Sequence, residues 1–320
     1  MRTRRLWRAL VASAMLTALG VSPALIGGRP AGAQTTQTWA AVAEGADGAA
    51  WYINPEPNPA SGAVWTSLGG TVLTTPAVAD YGNNPYGDPV PIFAAIGTDH
   101  QVWVTSIGSA PTWYPVGGYC LSSPASNILN TASGGMDDLS IACEGGDGAM
   151  WVEQVLIEPV GPVDNPVPVR VLQGFTSFGG GIVAGPAIES LPLDAGPVYF
   201  VEGPNRQVFY ATQPNSWTPT PFYCSGHLAG GTFDNSVLGC QGTDGQMWLV
   251  TSSNGTLAGL TASPQGGALI GGPGLASLPT TWMFAEGTDH SGYFEVAGTT
   301  PWFSLGGYLV GDGINATILG

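Results

Sequence analysis

One short phrase, repeated six times, constrains this chain more than any other feature. It joins a Gly, an acidic or polar turn, and an aromatic four residues after the Asp or Asn. The copies are Gly45-Ala-Asp47-Gly-Ala-Ala-Trp51, Gly97-Thr-Asp99-His-Gln-Val-Trp103, Gly146-Asp147-Gly-Ala-Met-Trp151, Gly203-Pro-Asn205-Arg-Gln-Val-Phe209, Gly242-Thr-Asp244-Gly-Gln-Met-Trp248 and Gly287-Thr-Asp289-His-Ser-Gly-Tyr293. Self-similarity at a period of roughly 40 to 50 residues is the mark of a propeller, a solenoid or an array. The repeat therefore bounds the architecture before any single residue is weighed.

A second phrase follows the first. Trp65-Thr-Ser-Leu-Gly69-Gly70, Trp113-Tyr-Pro-Val-Gly117-Gly118, Phe175-Thr-Ser-Phe-Gly179-Gly180 and Trp302-Phe-Ser-Leu-Gly306-Gly307 set an aromatic before a Gly pair. A Pro then follows at Pro76, Pro124, Pro186 and, after Gly266-Gly267, Pro273. The fourth unit keeps Trp217 but replaces the Gly pair with Pro221-Phe222, and the fifth keeps the Gly pair but lacks the aromatic.

Short apolar runs lie between these markers, at Trp39 to Ala43, Ile92 to Ile96, Leu139 to Cys143, Val198 to Val201, Val237 to Cys240 and Trp282 to Ala285. Each ends at the turn and resumes with an aromatic, as a hairpin does whose tip draws on the turn chemistry of Gly and Asp. Four such strands per unit, with no helical periodicity, read as one propeller blade. The expected fold is all-β, a six-bladed propeller of four-stranded blades in one domain over residues 34–320. The C-terminal run Ile314 to Leu319 falls where the first blade lacks a strand, so pairing of N- and C-terminal strands is expected to close the ring and remove its free edges.

Residues 1–33 read as an export signal: Arg2, Arg4, Arg5 and Arg8 precede an apolar stretch from about Ala9 to Ile26, and Ala31-Gly32-Ala33 offers a cleavage site. Arg4-Arg5 also resembles a twin-arginine signal, so both export routes stay open. The expected localisation is secreted. Cleavage would remove every basic residue except Arg170 and Arg206, against all 22 acidic ones. A body so poor in cations cannot neutralise phosphates, which excludes nucleic acid and anionic lipid surfaces as partners. No apolar run in the mature chain reaches the roughly 20 residues of a membrane helix, so no membrane insertion is expected after cleavage.

The cysteines keep the repeat register. Cys120 and Cys224 follow Tyr119 and Tyr223 just before a blade begins, and Cys143 and Cys240 precede that blade's turn. Four cysteines allow three pairings; the register selects Cys120 with Cys143 and Cys224 with Cys240, as expected in an oxidising compartment. No metal-ligand spacing supports a metal role instead, and no cofactor is implied.

The two phrases together resemble the repeats of propeller lectins of the PLL and tachylectin type, over nearly all of the mature chain. The resemblance implies sugar binding in shallow pockets repeated around a ring, with glycans or glycoconjugates as partners. Four carboxylates, Glu44, Glu144, Glu202 and Glu286, share one repeat position and could accept hydrogen bonds from sugar hydroxyls. Trp65, Trp113, Trp217 and Trp302, beside Gly-rich loops, are candidate stacking surfaces. The repeated Asp reads as turn chemistry, its side chain accepting backbone N–H bonds, with a carboxylate ring for a metal or catalysis as the other reading. The phrase-end aromatics read as packing between blades, with stacking on a sugar face as the other reading. Two other functions remain open. One is a protein-interaction scaffold. The other is a glycosidase, which needs two carboxylates at a set separation and whose non-repeated candidates would be Asp137, Asp138, Glu153 and Glu158, the last two opening a long hairpin to about Gln173. No Ser/His/Asp signature joins His100, His227 and His290.

Overall fold

The structure, a computed structural model, describes residues 38–54, 64–83, 89–107, 111–129, 138–157, 169–171, 174–190, 196–231, 236–253, 255–277, 280–299 and 301–319. The segment read as an export signal, together with Asp137 and Glu158, lies outside them.

Each repeat folds as one antiparallel four-stranded sheet, and the six sheets form a propeller. Blade 2 shows the plan, running through Ala77–Asn83, Pro89–Ile96, Val102–Ser106 and Tyr114–Gly117 from the axis outward. In every blade the Gly-x-Asp turn joins the second strand to the third. Blade 1 is assembled from both ends of the chain: Leu309–Leu319 is its inner strand and pairs antiparallel with Thr38–Gly45, from Thr38 opposite Leu319 to Gly45 opposite Leu309. That pairing closes the ring as the sequence leads one to expect. In blade 3 the third strand, Met150–Ile157, runs past its neighbours and pairs with Val169–Val171, the two arms of the expected long hairpin.

The core is divided. Among the described residues the buried apolar side chains fall into six clusters, each shared by two adjacent blades. Ala40, Val42 and Leu68 of blade 1, for example, pack on Val78, Phe93 and Ala95 of blade 2. A blade buries its two faces only against its neighbours, so the ring is the smallest unit in which both faces of every blade are covered.

The axis is filled. Val78, Ala125, Ile188, Gly230 and Ala316 of the inner strands leave a cavity of only about 20 Å³, room for roughly one water. At the end bearing the Gly-x-Asp turns, the loops entering the blades tie to one another: Thr75 Oγ1 donates to Gly313 O (3.2 Å), Ser123 Oγ to Asp312 Oδ2 (3.2 Å) and the Ile314 amide to Gly272 O (3.1 Å). Both disulfides have the expected pairing, Cys120–Cys143 and Cys224–Cys240, each with Cα atoms 5.8 Å apart. Each staples a connector to the second strand of the blade it enters.

Candidate functional site

The repeated Asp clamps the aromatic that follows it. Asp47 Oδ1 accepts from the Ala49 amide (3.1 Å) and from Trp51 Nε1 (2.9 Å), and Asp147 does the same with Ala149 (3.1 Å) and Trp151 (2.9 Å). Asp99 holds Trp103 (3.1 Å), Asp244 holds Trp248 (3.1 Å), and Asp289 Oδ2 accepts from the Tyr293 hydroxyl (2.9 Å). The fourth unit has Asn205 and Phe209 instead. A Phe offers no N–H or O–H, and this is the one unit without the carboxylate. Bonds from the indole first for Asp47 and Asp147, and from a backbone N–H first for Asp99 and Asp289, hold these carboxyls below their usual range. All four are therefore ionised at neutral pH, with accepting capacity to spare at the surface.

The aromatic in turn explains the turn glycine. A Cβ on Gly45 would stand 2.6 Å from Trp51, and one on Gly97 would stand 2.8 Å from Trp103. The turn Gly is thus a seat for the ring. Positive φ falls instead on the residue after the Asp or Asn, at Gly48, His100, Gly148, Arg206, Gly245 and His290.

The second phrase works between blades. The aromatic preceding each Gly pair lies on the Gly pair of the previous blade: Trp113 on Gly70 (3.1 Å to a built Cβ), Trp217 on Gly180 (2.8 Å), Trp302 on Gly267 (3.3 Å) and Trp65 on Gly307 (3.0 Å). Trp113 and Trp217 also donate Nε1 to Leu68 O and Phe178 O of the previous blade, both at 3.1 Å. The two irregular units are therefore a single event. Where blade 4 has Pro221-Phe222 for the Gly pair, the residue of blade 5 that should lie on it is Ala262, and Phe222 packs with Ala262 and Trp248 in one cluster.

Among the described residues, these two devices frame a cleft at three of the junctions. Between blades 6 and 1, Asp47, Trp51, Trp65, Gly307 and Tyr308 line a cavity of about 370 Å³. Between blades 4 and 5, Tyr223, Asp244, Trp248 and Ala262 line one of about 270 Å³; between blades 5 and 6, Ala268, Asp289, Tyr293 and Trp302 line one of about 300 Å³. Volumes near 300 Å³ sit at the small end of ligand pockets. Each is open and aromatic-walled, with an Asp side chain at its edge.

The structure thus brings Trp65 and Trp302 into clefts and places Trp113 and Trp217 at the equivalent junctions. It places the glutamates elsewhere. Glu44, Glu144, Glu202 and Glu286 end the second strands, close to the axis, and none lines these three cavities. Glu202 and Glu286 are 3% and 1% exposed, Glu202 accepting from the Gly226 amide (2.8 Å) and Glu286 paired with His290 (2.8 Å). Desolvation pushes all four carboxyls above their usual range, aided at Glu44 and Glu286 by the charge of Asp312. His227, in the same axial region, is buried with neither ring nitrogen hydrogen-bonded, and burial pulls it down to about 4.

The sequence reading favoured packing for the phrase-end aromatics, of which Trp51, Trp248 and Tyr293 line clefts. The signal was present: the paired change of Asp to Asn with Trp to Phe marks Asp and aromatic as one unit. Of the non-repeated acids among the described residues, Glu153 is 1% exposed and accepts from the Gly174 amide (3.1 Å). No group of three or more His, Cys, Asp or Glu among the described residues is arranged to hold a metal ion.

The sequence matches no family model and no curated protein. Solved structures do resemble the fold. The Aleuria aurantia lectin in complex with Fucα1-6GlcNAc aligns at 13% identity over 87% of this chain and 96% of that one, with a TM-score of 0.55. The SapL1 lectin in complex with α-methyl fucoside aligns at 13% identity over 82% and 90%, with a TM-score of 0.51. AofleA from Arthrobotrys oligospora aligns at 8% identity over 88% and 89%, with a TM-score of 0.51. The chain has the six-bladed propeller fold of these proteins, the first two of which carry fucosides.

Proposed function

We propose that the protein is an exported carbohydrate-binding propeller whose ligand sites are the clefts between blades. The observation that carries this reading is a cleft of the same make at three described junctions, with an indole or phenol held by an Asp that keeps accepting capacity for a sugar hydroxyl. A clamped aromatic offers a flat apolar face at little entropic cost, and a carboxylate beside it accepts strong hydrogen bonds. Such shallow sites bind weakly one at a time, and display on one ring supplies avidity. The fucosides bound by the fold's neighbours make a fucoside the first probe.

The test is a glycan array probed with oxidised protein from Gln34 onward, followed by calorimetry on each hit. Binding with more than one site per chain supports the reading, and an empty array from folded protein overturns it. In that case a second reading takes over, favoured by one observation. Leu73, Leu121, Val183, Ile270 and Val310 share one repeat position on the turn-bearing face and are each 42 to 50% exposed, a ring of apolar surface suited to a protein partner.

A further inference from the structure

The six blades alternate. In blades 1, 3 and 5 the residue after the repeated Asp is Gly48, Gly148 or Gly245, and the clamped aromatic is always Trp. In blades 2, 4 and 6 that residue is His100, Arg206 or His290, each held at a φ of 63 or 64° where a side chain is disfavoured. The residue after the Gly-pair position alternates in step. It is Thr71, Gly181 and Ala268 in the odd blades, and Tyr119, Tyr223 and Tyr308 in the even ones. The disulfides keep the same beat, because Cys120 and Cys224 directly follow two of these tyrosines, and Leu309 follows the third. The ring is three copies of a two-blade unit.

The tyrosines do not behave as core. They are 55, 54 and 58% exposed, and no hydrogen bond among the described residues ties their hydroxyls. Two of the rings are braced. Tyr119 packs on His100 and Tyr308 on His290, with ring centroids 5.0 Å apart in both cases. Arg206 takes the equivalent position in the blade of Tyr223, tied to Ser225 Oγ. Each tyrosine also overhangs the junction with the next blade. Tyr308 lines the cleft with Asp47 and Trp51, and Tyr223 the cleft with Asp244 and Trp248. Tyr119 stands over the turn of blade 3, 3.2 Å from where a Cβ on Gly146 would be, next to Asp147 and Trp151. The cleft after blade 5 has only the small Ala268 there.

Resting on the carbohydrate reading above, we propose that the saccharide sites number three, at the junctions of blades 2 and 3, 4 and 5, and 6 and 1, with Tyr119, Tyr223 and Tyr308 as the residues that select them. At these junctions a half-exposed phenol stands beside the turn that carries a clamped indole, lining a cleft with it at Tyr223 and Tyr308. Together they offer two aromatic surfaces and an untied hydroxyl, suited to a saccharide that presents a C–H face on one side and hydroxyls on the other. The sites lie at every second junction on one face of the disc, so the protein displays three equal ligand positions.

Calorimetric titration of the oxidised protein with methyl α-fucoside, or with the tightest array hit if that differs, tests this. The expected stoichiometry is three. Tyr308→Ala should lower it to two without changing the affinity of the remaining sites, Tyr119→Ala and Tyr223→Ala should each do the same, and Thr71→Ala should leave it at three. A stoichiometry of six, or one that single tyrosine variants leave unchanged, overturns the proposal while leaving the carbohydrate reading intact. No binding to any glycan overturns both. If one of the tyrosine variants does not fold, the other two still decide the matter.

Discussion

Gly117 and Gly118 separate two costs that are usually confounded. Both have positive φ, 100 and 77°, so an alanine at either forces an L-residue into the left-handed region, at about 1 to 2 kcal/mol. Their surroundings differ. A Cβ on Gly117 meets nothing within 4 Å, whereas one on Gly118 runs into the ring of Phe175 from blade 3. Overpacking of that kind adds about 1 to 3 kcal/mol. Gly118→Ala should therefore be less stable than Gly117→Ala by about 2 kcal/mol, or roughly 4 °C in Tm for a chain of this size. Equilibrium denaturation of the two variants measures the difference. Removing the ring should release the conflict, so Gly118→Ala should cost less in a Phe175→Ala background, with a coupling of about 1 to 2 kcal/mol. Equal losses for the two glycine variants, or strict additivity in the double variant, would refute the claim that the second glycine is the seat of the neighbouring blade's aromatic.

Three further outcomes follow from the same geometry. Ala262→Trp alone should crowd Phe222 and destabilise by about 1 to 3 kcal/mol, and adding Pro221→Gly with Phe222→Gly should recover much of that loss; chemical denaturation of both variants checks it, and equal stabilities would deny the pairing. Ala43 and Leu309 occupy, at the junction of blades 6 and 1, the places that Cys143 and Cys120 occupy two blades on; Ala43→Cys with Leu309→Cys should form a third disulfide across the ring closure, visible in non-reducing peptide mapping and worth up to about 4 to 5 kcal/mol for so long a loop before the lost Leu packing. His227 is easier to protonate unfolded, near 6.5, than folded, at about 4, so its contribution is complete above 6.5 and is lost as pH falls toward 4, by about 3 kcal/mol in all; Glu202 and Glu286, raised by burial, act oppositely and lose their contribution as pH rises above 4.5. His227→Gln should therefore flatten the fall in stability between pH 7 and pH 4, and an unchanged slope would show that another group controls it.

The architecture was legible because the repeat carries it at every level. Gly-x-Asp turns, strand-length apolar runs and cysteines in register all point to the same four-stranded blade, and the C-terminal run supplies the one strand the first blade lacks. The site was less legible, because it is built across the repeat boundary. Trp113 belongs to blade 2 but rests on Gly70 of blade 1, and Phe222 of blade 4 makes sense only beside Ala262 of blade 5. A unit-by-unit alignment shows Pro221-Phe222 and Ala262 as two separate irregularities, and only three-dimensional adjacency makes them one compensated change. The glutamates illustrate the converse. Their regular spacing suggested a common role, but spacing carries no radial coordinate, and the structure sets them near the axis, where Glu202 and Glu286 are buried.

The division of the core into six shared clusters bears directly on how such a molecule could hold several ligands. Each cleft takes side chains from two blades, and the cluster residues lining the cleft between blades 6 and 1 share no cluster with those lining the cleft between blades 4 and 5. Perturbations more than about 10 Å apart without shared partners add rather than couple, so damage to one junction should stay there. Ligand binding at one cleft should likewise leave the affinity of the next unchanged, because no two-state element links them and coupling between sites requires one. Whatever strength the whole disc has for a glycan-bearing surface then comes from the number and spacing of its sites. Retention would depend on how many clefts a surface engages at once, and it would weaken stepwise as tyrosines are removed one at a time.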